Sequence, residues 1–295
     1  MNTLRIKLLF ALAAMLVWSL GSAAPAACQK SATLPANVCA QYNVAYGSGP
    51  LQNFNVYMST SQRQNAPVIF MVHGGGWYQG DKADTTVVQN KMKLWVPAGF
   101  IFISVDYPLM PGANPLQQAT NVAQALAYAQ QHVTDWGGNP NKFILMGFSA
   151  GGQLISLIAA EPSLATSLGA SPWLGTVALD AGVYDVPKMM ANPNHPTIYN
   201  QAFGTNSALW NAASPYEQLQ SRIAPFMAVC STQETNLCGS QDKAFTDKAK
   251  SLGTETRLLQ VDLSHGEINA DLGLQSDYTN QVNTFIIALI NGASQ

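Results

Sequence analysis

"FILMGFSAGGQLISL", residues 143–157, decides how this chain is read. An apolar run leads into Gly147, Ser149 follows among small residues, and an apolar helical pattern begins at once. In so tight a strand-to-helix turn, side chains two residues to either side of Ser149, at 147 and 151, would collide, so glycine is required there. Gly147-Phe148-Ser149-Ala150-Gly151 matches G-x-S-x-G, which holds a serine at the tip of a strand-to-helix turn. The helix N-terminus beneath that serine favours developing negative charge. Ser149 is therefore the candidate nucleophile; the plainer alternative is a glycine-rich turn carrying a solvated serine.

Outward from this turn, apolar runs alternate with helical patterns. Strands are expected at 53–59, 67–73, 100–107, 142–148, 175–180, 224–230 and 256–262. Helices are expected at 84–97, 115–133, from 150, at 240–252 and at 276–291. Continuous apolar strands separated by helices predict an α/β fold: a mostly parallel sheet covered on both faces. The Pro/Asn-rich stretch 186–216 breaks the rhythm and reads as a small cap insertion.

Of 295 residues, 47% are hydrophobic and 10% charged, enough apolar material for one sizeable core and too much for a disordered chain. The net charge of −2, without basic runs, argues against nucleic acid or an anionic membrane as partner. Arg5 and Lys7, the apolar run Leu8 to Trp18 and the small residues "LGSAAPAA" follow the order of a secretory signal. Residues 1–27 are read as that signal and 28–295 as the mature domain, periplasmic or secreted, with no stable membrane span after cleavage. The four cysteines form two local pairs, Cys28 with Cys39 and Cys230 with Cys238, which in an oxidising compartment predict two disulfides. No His/Cys spacing supports a metal site.

A second glycine cluster, "VHGGGW" at 72–77, ends an earlier strand. Acyl transfer builds charge on a carbonyl oxygen, and amides must already face it. Consecutive glycines permit that approach, so the amides of Gly75, Gly76 and Ala150 form a candidate oxyanion hole. The spacing fits neither a P-loop nor G-x-G-x-x-G.

Taken together, His73-Gly74-Gly75-Gly76-Trp77, Gly80-Asp81-Lys82 and Gly147-Phe148-Ser149-Ala150-Gly151-Gly152 resemble the α/β-hydrolase superfamily. The resemblance is to esterases with an HGGG oxyanion motif, related to hormone-sensitive lipase, feruloyl esterases and arylformamidases, and runs from about 40 to 292. "DYPLMPGANP" at 106–115 departs from the Y-R-L-A-P-E of the hormone-sensitive lipase branch. The resemblance implies an acyl-enzyme mechanism without metal or organic cofactor, and the chain order serine, acid, histidine. Among the four histidines, His73 belongs to the oxyanion loop, His132 ends a helix and His195 lies in the cap stretch. His265, in "VDLSHGEIN" after the last strand, takes the third place.

For the acid, the implied position follows the strand "APFMAVC", and the candidates are Glu234, Asp242, Asp247, Glu255 and Asp262. Relatives carry aspartate in a G-T-x-D loop there. This chain reads "CSTQETNLC", and Glu234 is preferred, clamped by the Cys230–Cys238 pair. Asp242 and Asp247 fall in the next helix, Glu255 precedes a strand, and Asp262 sits only three residues before His265. Trp77, Tyr78 and Phe148, with Tyr184, Met189, Met190 and Tyr199 from the cap stretch, are candidates for a neutral substrate pocket or, equally, for core. The expected activity is a serine carboxylesterase acting on small uncharged or aromatic esters. The alternatives are an arylformamidase or other amidase on the same machinery, and a non-catalytic hydrolase-like binding protein.

Overall fold

Eight strands make one sheet in the order β1-β2-β4-β3-β5-β6-β7-β8 in the computed structural model, which describes residues 28–61, 64–233 and 238–292. The signal reading of residues 1–27 and the position Glu234 lie outside the described residues. The strands are β1 (Val38–Ala45), β2 (Asn53–Ser59), β3 (Ala66–Val72), β4 (Ile101–Val105), β5 (Gly138–Phe148), β6 (Gly175–Leu179), β7 (Phe226–Ser231) and β8 (Thr256–Val261). β1 and β2 pair antiparallel, as do β2 and β4; every other pairing is parallel. This is the expected α/β fold. The strand that periodicity did not predict is β1, whose mixed "VCAQYNVA" is buried over its first three residues and half-exposed beyond.

Helices cover both faces. On the chain they are α1 (Thr85–Trp95), α2 (Pro115–His132), α3 (Ala150–Ala160), α4 (Ser163–Thr166), α5 (Val186–Ala191), α6 (Thr197–Phe203), α7 (Ser207–Ala212), α8 (Pro215–Gln218), α9 (Lys243–Ser251), α10 (His265–Ala270) and α11 (Asp277–Gly292). Two apolar cores result, one on each side of the sheet: Phe70, Val72, Phe143 and Leu145 face one, and Ile69, Met71, Ile144 and Met146 the other. Strands sandwiched this way carry no polar face, which is why β3 to β7 read as continuous apolar runs. Helix α3 is buried along its whole length, consistent with a sequence apolar on every side. Helix α2 starts where Asn114 and Gln117 close a capping box ahead of Pro115. Cys28–Cys39 and Cys230–Cys238 are disulfides, as their spacing predicted.

The turn between β5 and α3 shows why small residues crowd Ser149. A Cβ on Gly151 would lie 2.3 Å from the carbonyl oxygens of both Val72 and His73, and one on Gly147 would lie 2.5 Å from that of Gly151. Both obstacles are backbone and cannot swing aside. Gly151→Ala is accordingly expected to lower unfolding free energy by about 3 kcal/mol through overpacking, measured by urea denaturation.

Candidate active site

Parallel strands end on one edge, and side chains from four of those ends meet there. Ser149, following β5, has φ 52° and ψ −117°, a strained conformation for a non-glycine residue. Its backbone is held at both sides: Ser149 N–H donates to Leu179 O at 3.0 Å, and Gly182 N–H donates to Ser149 O at 2.9 Å. The strain is therefore imposed by neighbouring strand ends.

His265 is the first residue of α10, fixed by a capping box between Ser264 and Glu267. Its Nε2 lies 3.0 Å from Ser149 Oγ, across 116 residues of chain. Behind it, Lys91 of α1 is fully buried and donates from Nζ to the carbonyls of Thr86 and Asn269 and to Asn269 Oδ1. Burial pushes the Lys91 ammonium down to about 7, with Asp84 and Asp271 pulling it upward. The contact ties the far end of α10 to α1 and so steadies the helix that begins at His265.

The carboxylate on the other ring nitrogen is Asp180, at the end of β6. Asp180 Oδ2 lies 2.6 Å from His265 Nδ1, and Asp180 Oδ1 accepts from Ser231 N–H at 3.0 Å. Ser231 closes the circle, its Oγ donating to Leu263 O at 2.6 Å, two residues before His265. A carboxylate at Nδ1 selects the tautomer with that nitrogen protonated, leaving Nε2 free to accept from the serine hydroxyl.

This geometry corrects the expectation for the acid. Glu234 lies outside the described residues, and the position that it was expected to fill at Nδ1 is occupied by Asp180. Asp262 is exposed and accepts from Gln233 Nε2 at 3.2 Å. Asp242 is buried, and burial together with the charge of Asp180 holds its carboxyl well above the usual range, which favours an uncharged group. Asp247 pairs with Lys243 on the surface. The signal for Asp180 was present in "GTVALDAG": an aspartate at the end of a parallel strand, the edge where α/β sheets carry their ligands. Expecting the acid only after the following strand concealed it.

The candidate oxyanion loop follows β3. Gly75, Gly76 and Trp77 all have positive φ, at 110°, 60° and 69°. A Cβ on Gly75 would lie 2.0 Å from Gln79 O. A Cβ on Gly74 would lie 3.0 Å from Ser149 Cβ, so the loop abuts the nucleophile turn. Among the described residues, the amides of Gly75, Gly76 and Ala150 have no hydrogen-bond acceptor. Free amides beside a serine–histidine pair are what a tetrahedral oxyanion requires.

A buried polar cluster supports the loop from below. His73 stacks on Tyr107 at 4.5 Å and 17°, and its Nδ1 lies 2.7 Å from Gly74 O. Lys82 donates to both oxygens of Asp106, from Nζ and from its own amide, each at 2.7 Å. Burial pushes the Asp106 carboxyl up, but hydrogen bonds from His73 and Lys82 and the Lys82 charge outweigh it and hold Asp106 below its ordinary value. A carboxylate depressed on folding stabilises above its unfolded pKa, near 3.9, and loses that contribution as pH falls through the folded value. The wild-type urea midpoint is thus expected to drop below about pH 4. Asp106→Asn, which strands the Lys82 charge, should cost about 3 kcal/mol at pH 7 and flatten the acid limb.

The pocket candidates divide. Tyr78 is 47% exposed at the loop. Trp77 is 2% exposed, donates from Nε1 to Gln153 Oε1 at 2.9 Å and packs beneath the loop. Phe148 lies against the His265 ring at 4.6 Å and shields the imidazole. Tyr184, Met189, Met190 and Tyr199 are buried in the core. His132 and His195 have local partners, Asp135 and Asn200. A cavity of about 380 Å³ opens at the opposite end of the sheet, beside Ala66 and Ile101, with no histidine among its lining residues.

Residues 54–248, most of the sheet with its nucleophile turn and oxyanion loop, match the BD-FAE family. The chain belongs to that family, whose HGGG motif and α/β-hydrolase sheet are those described above. Among curated relatives, the esterase LipQ of Mycobacterium tuberculosis is 25% identical over 72% of this chain and 53% of its own length. The isoprenylcysteine alpha-carbonyl methylesterase ICME of Arabidopsis thaliana is 23% identical over 79% of this chain and 57% of its own. The chain thus spans just over half the length of these relatives. Among solved structures, esterase B from Lactobacillus rhamnosis superposes with a TM-score of 0.73 at 18% identity, covering 89% of this chain and 90% of that one. Esterase 2 of Thermogutta terrifontis gives 0.68 at 17% identity, covering 83% and 93%. Both share the α/β-hydrolase fold.

Proposed function

We propose that this protein is an exported serine carboxylesterase that cleaves small uncharged or aromatic carboxylic esters through an acyl-enzyme. One observation carries the reading: Ser149 Oγ, both nitrogens of His265 and Asp180 form an unbroken hydrogen-bonded line of 3.0 Å and 2.6 Å. Membership of BD-FAE and similarity to curated esterases support it.

In the proposed cycle Ser149 Oγ attacks the ester carbonyl while His265 Nε2 takes its proton. Asp180 holds the ring and stabilises the imidazolium. The amides of Gly75, Gly76 and Ala150 receive the oxyanion. The imidazolium returns the proton to the departing alcohol, and a water activated by the same ring releases the acid. Every proton in this scheme moves between substrate, water and protein groups, so the cycle calls for no cofactor. Export is supported by the two disulfides, which persist in oxidising compartments. No helix among the described residues is long and apolar enough to cross a membrane.

The test is turnover of p-nitrophenyl acetate and butyrate by the purified protein, with mass-spectrometric mapping of a phosphonate adduct. Hydrolysis with the adduct on Ser149 is the expected result. Absence of both turnover and labelling would overturn the proposal, and preference for N-formyl anilides over esters would replace it with an amidase reading.

A further inference from the structure

The oxyanion loop has a neighbour from a distant part of the chain. A Cβ on Gly76 would lie 2.3 Å from Cδ1 and 3.4 Å from Cγ1 of Ile198, the second residue of α6. The same point is 3.2 Å from Cε1 of the exposed Tyr78. The half-buried Ile198 side chain therefore rests directly on Gly76, a candidate oxyanion-hole glycine.

Helix α6 is short but firmly seated. Tyr199 and Phe203 pack on Trp77 with ring centroids at 5.8 and 5.1 Å, and Tyr199 Oη donates to Gly182 O. Trp77 in turn is bonded to Gln153 of α3, whose Nε2 donates to Ala213 O at 2.8 Å, just past α7. Oxyanion loop, nucleophile helix and α6 thus share one buried aromatic cluster. Ile198 is carried on that fixed base, and its β-branch restricts χ1, so the side chain as a whole has little freedom to swing away.

Resting on the esterase reading, we propose that Ile198 determines specificity: it is the wall that limits the length of one substituent of the ester. An oxygen seated about 3 Å from the Gly76 amide leaves the adjoining carbonyl carbon with two substituents, acyl and alkoxy. The one directed over Gly76 meets the Cγ1–Cδ1 arm of Ile198 and, beside it, the Tyr78 ring. Both surfaces are uncharged, so the group accepted there is short and neutral.

The test compares wild type with Ile198→Val, Ile198→Ala and Ile198→Phe in two arms. One arm varies the acyl chain, as p-nitrophenyl acetate, butyrate and octanoate. The other varies the alcohol, as methyl, butyl and octyl butyrate in a pH-stat. Removing methyl groups from an apolar wall changes discrimination by about 10-fold or more. The kcat/KM ratio of longest to shortest substrate should rise at least about 10-fold in Ile198→Ala in one arm, rise less in Ile198→Val, and fall in Ile198→Phe. The arm that responds identifies the substituent.

Melting curves and phosphonate labelling verify that each variant is folded and reactive; Ile198→Val serves if a larger change unfolds the protein. Unchanged ratios in both arms in folded, labelled variants would overturn the inference and leave the esterase reading intact. A wild-type protein that neither turns over nor labels would overturn both.

Discussion

Ser149→Ala should reduce kcat toward p-nitrophenyl esters by about 10⁶-fold and abolish phosphonate labelling, while the protein remains folded. The magnitude follows from how nucleophile, base and orienting acid act as a unit: without the attacking oxygen the other two have nothing to activate. Alanine removes only Oγ. The strained backbone at 149 is held by hydrogen bonds at Ser149 N and O, which the substitution keeps. Residual turnover from the oxyanion amides and substrate binding would remain. Steady-state kinetics with an active-site titration measures the loss; a variant within about 10-fold of wild type would show that ester cleavage proceeds elsewhere.

Asp180→Asn is expected to lower kcat by about 10⁴-fold with little change in stability. Oδ1 of Asp180 accepts from Ser231 N–H, so an asparagine at 180 would keep its oxygen there and turn its NH₂ toward His265. Nδ1 must then accept, the proton moves to Nε2, and the ring can no longer take the proton of Ser149. Geometry is preserved while the tautomer is inverted. Glu234→Gln and Asp262→Asn, by contrast, should leave kcat within about threefold of wild type. The discriminating measurement is kcat for the three variants side by side. A 10⁴-fold loss in Glu234→Gln with Asp180→Asn unaffected would reverse the assignment of the acid.

The contrast between these carboxylates marks where reading the chain stops. Ser149, Gly147 and Gly151 were legible because G-x-S-x-G is a contiguous pattern, although the backbone that excludes a side chain at 151 comes from distant Val72 and His73. The HGGG run was legible as well, since positive φ at 75 and 76 calls for glycine. His265 emerged because only four histidines exist and three had other places. Trp77 and Phe148 were ambiguous, because an aromatic beside a site can serve as floor, shield or wall, and burial alone separates these. Tyr78 is the one of the three that is exposed.

Sequence by itself determined the alternating α/β layers, the strand-turn-helix that presents Ser149, the amide-rich loop and the two cysteine pairs, each carried by residues close together in the chain. The tertiary structure alone decided which carboxylate meets His265 and that Ile198 covers Gly76. β6 and β7 are neighbours in the sheet, their ends separated by roughly the 4.8 Å spacing of paired strands. A carboxylate leaving either end can reach the same imidazole nitrogen, and nothing in the order of residues distinguishes the two until the strands are laid side by side.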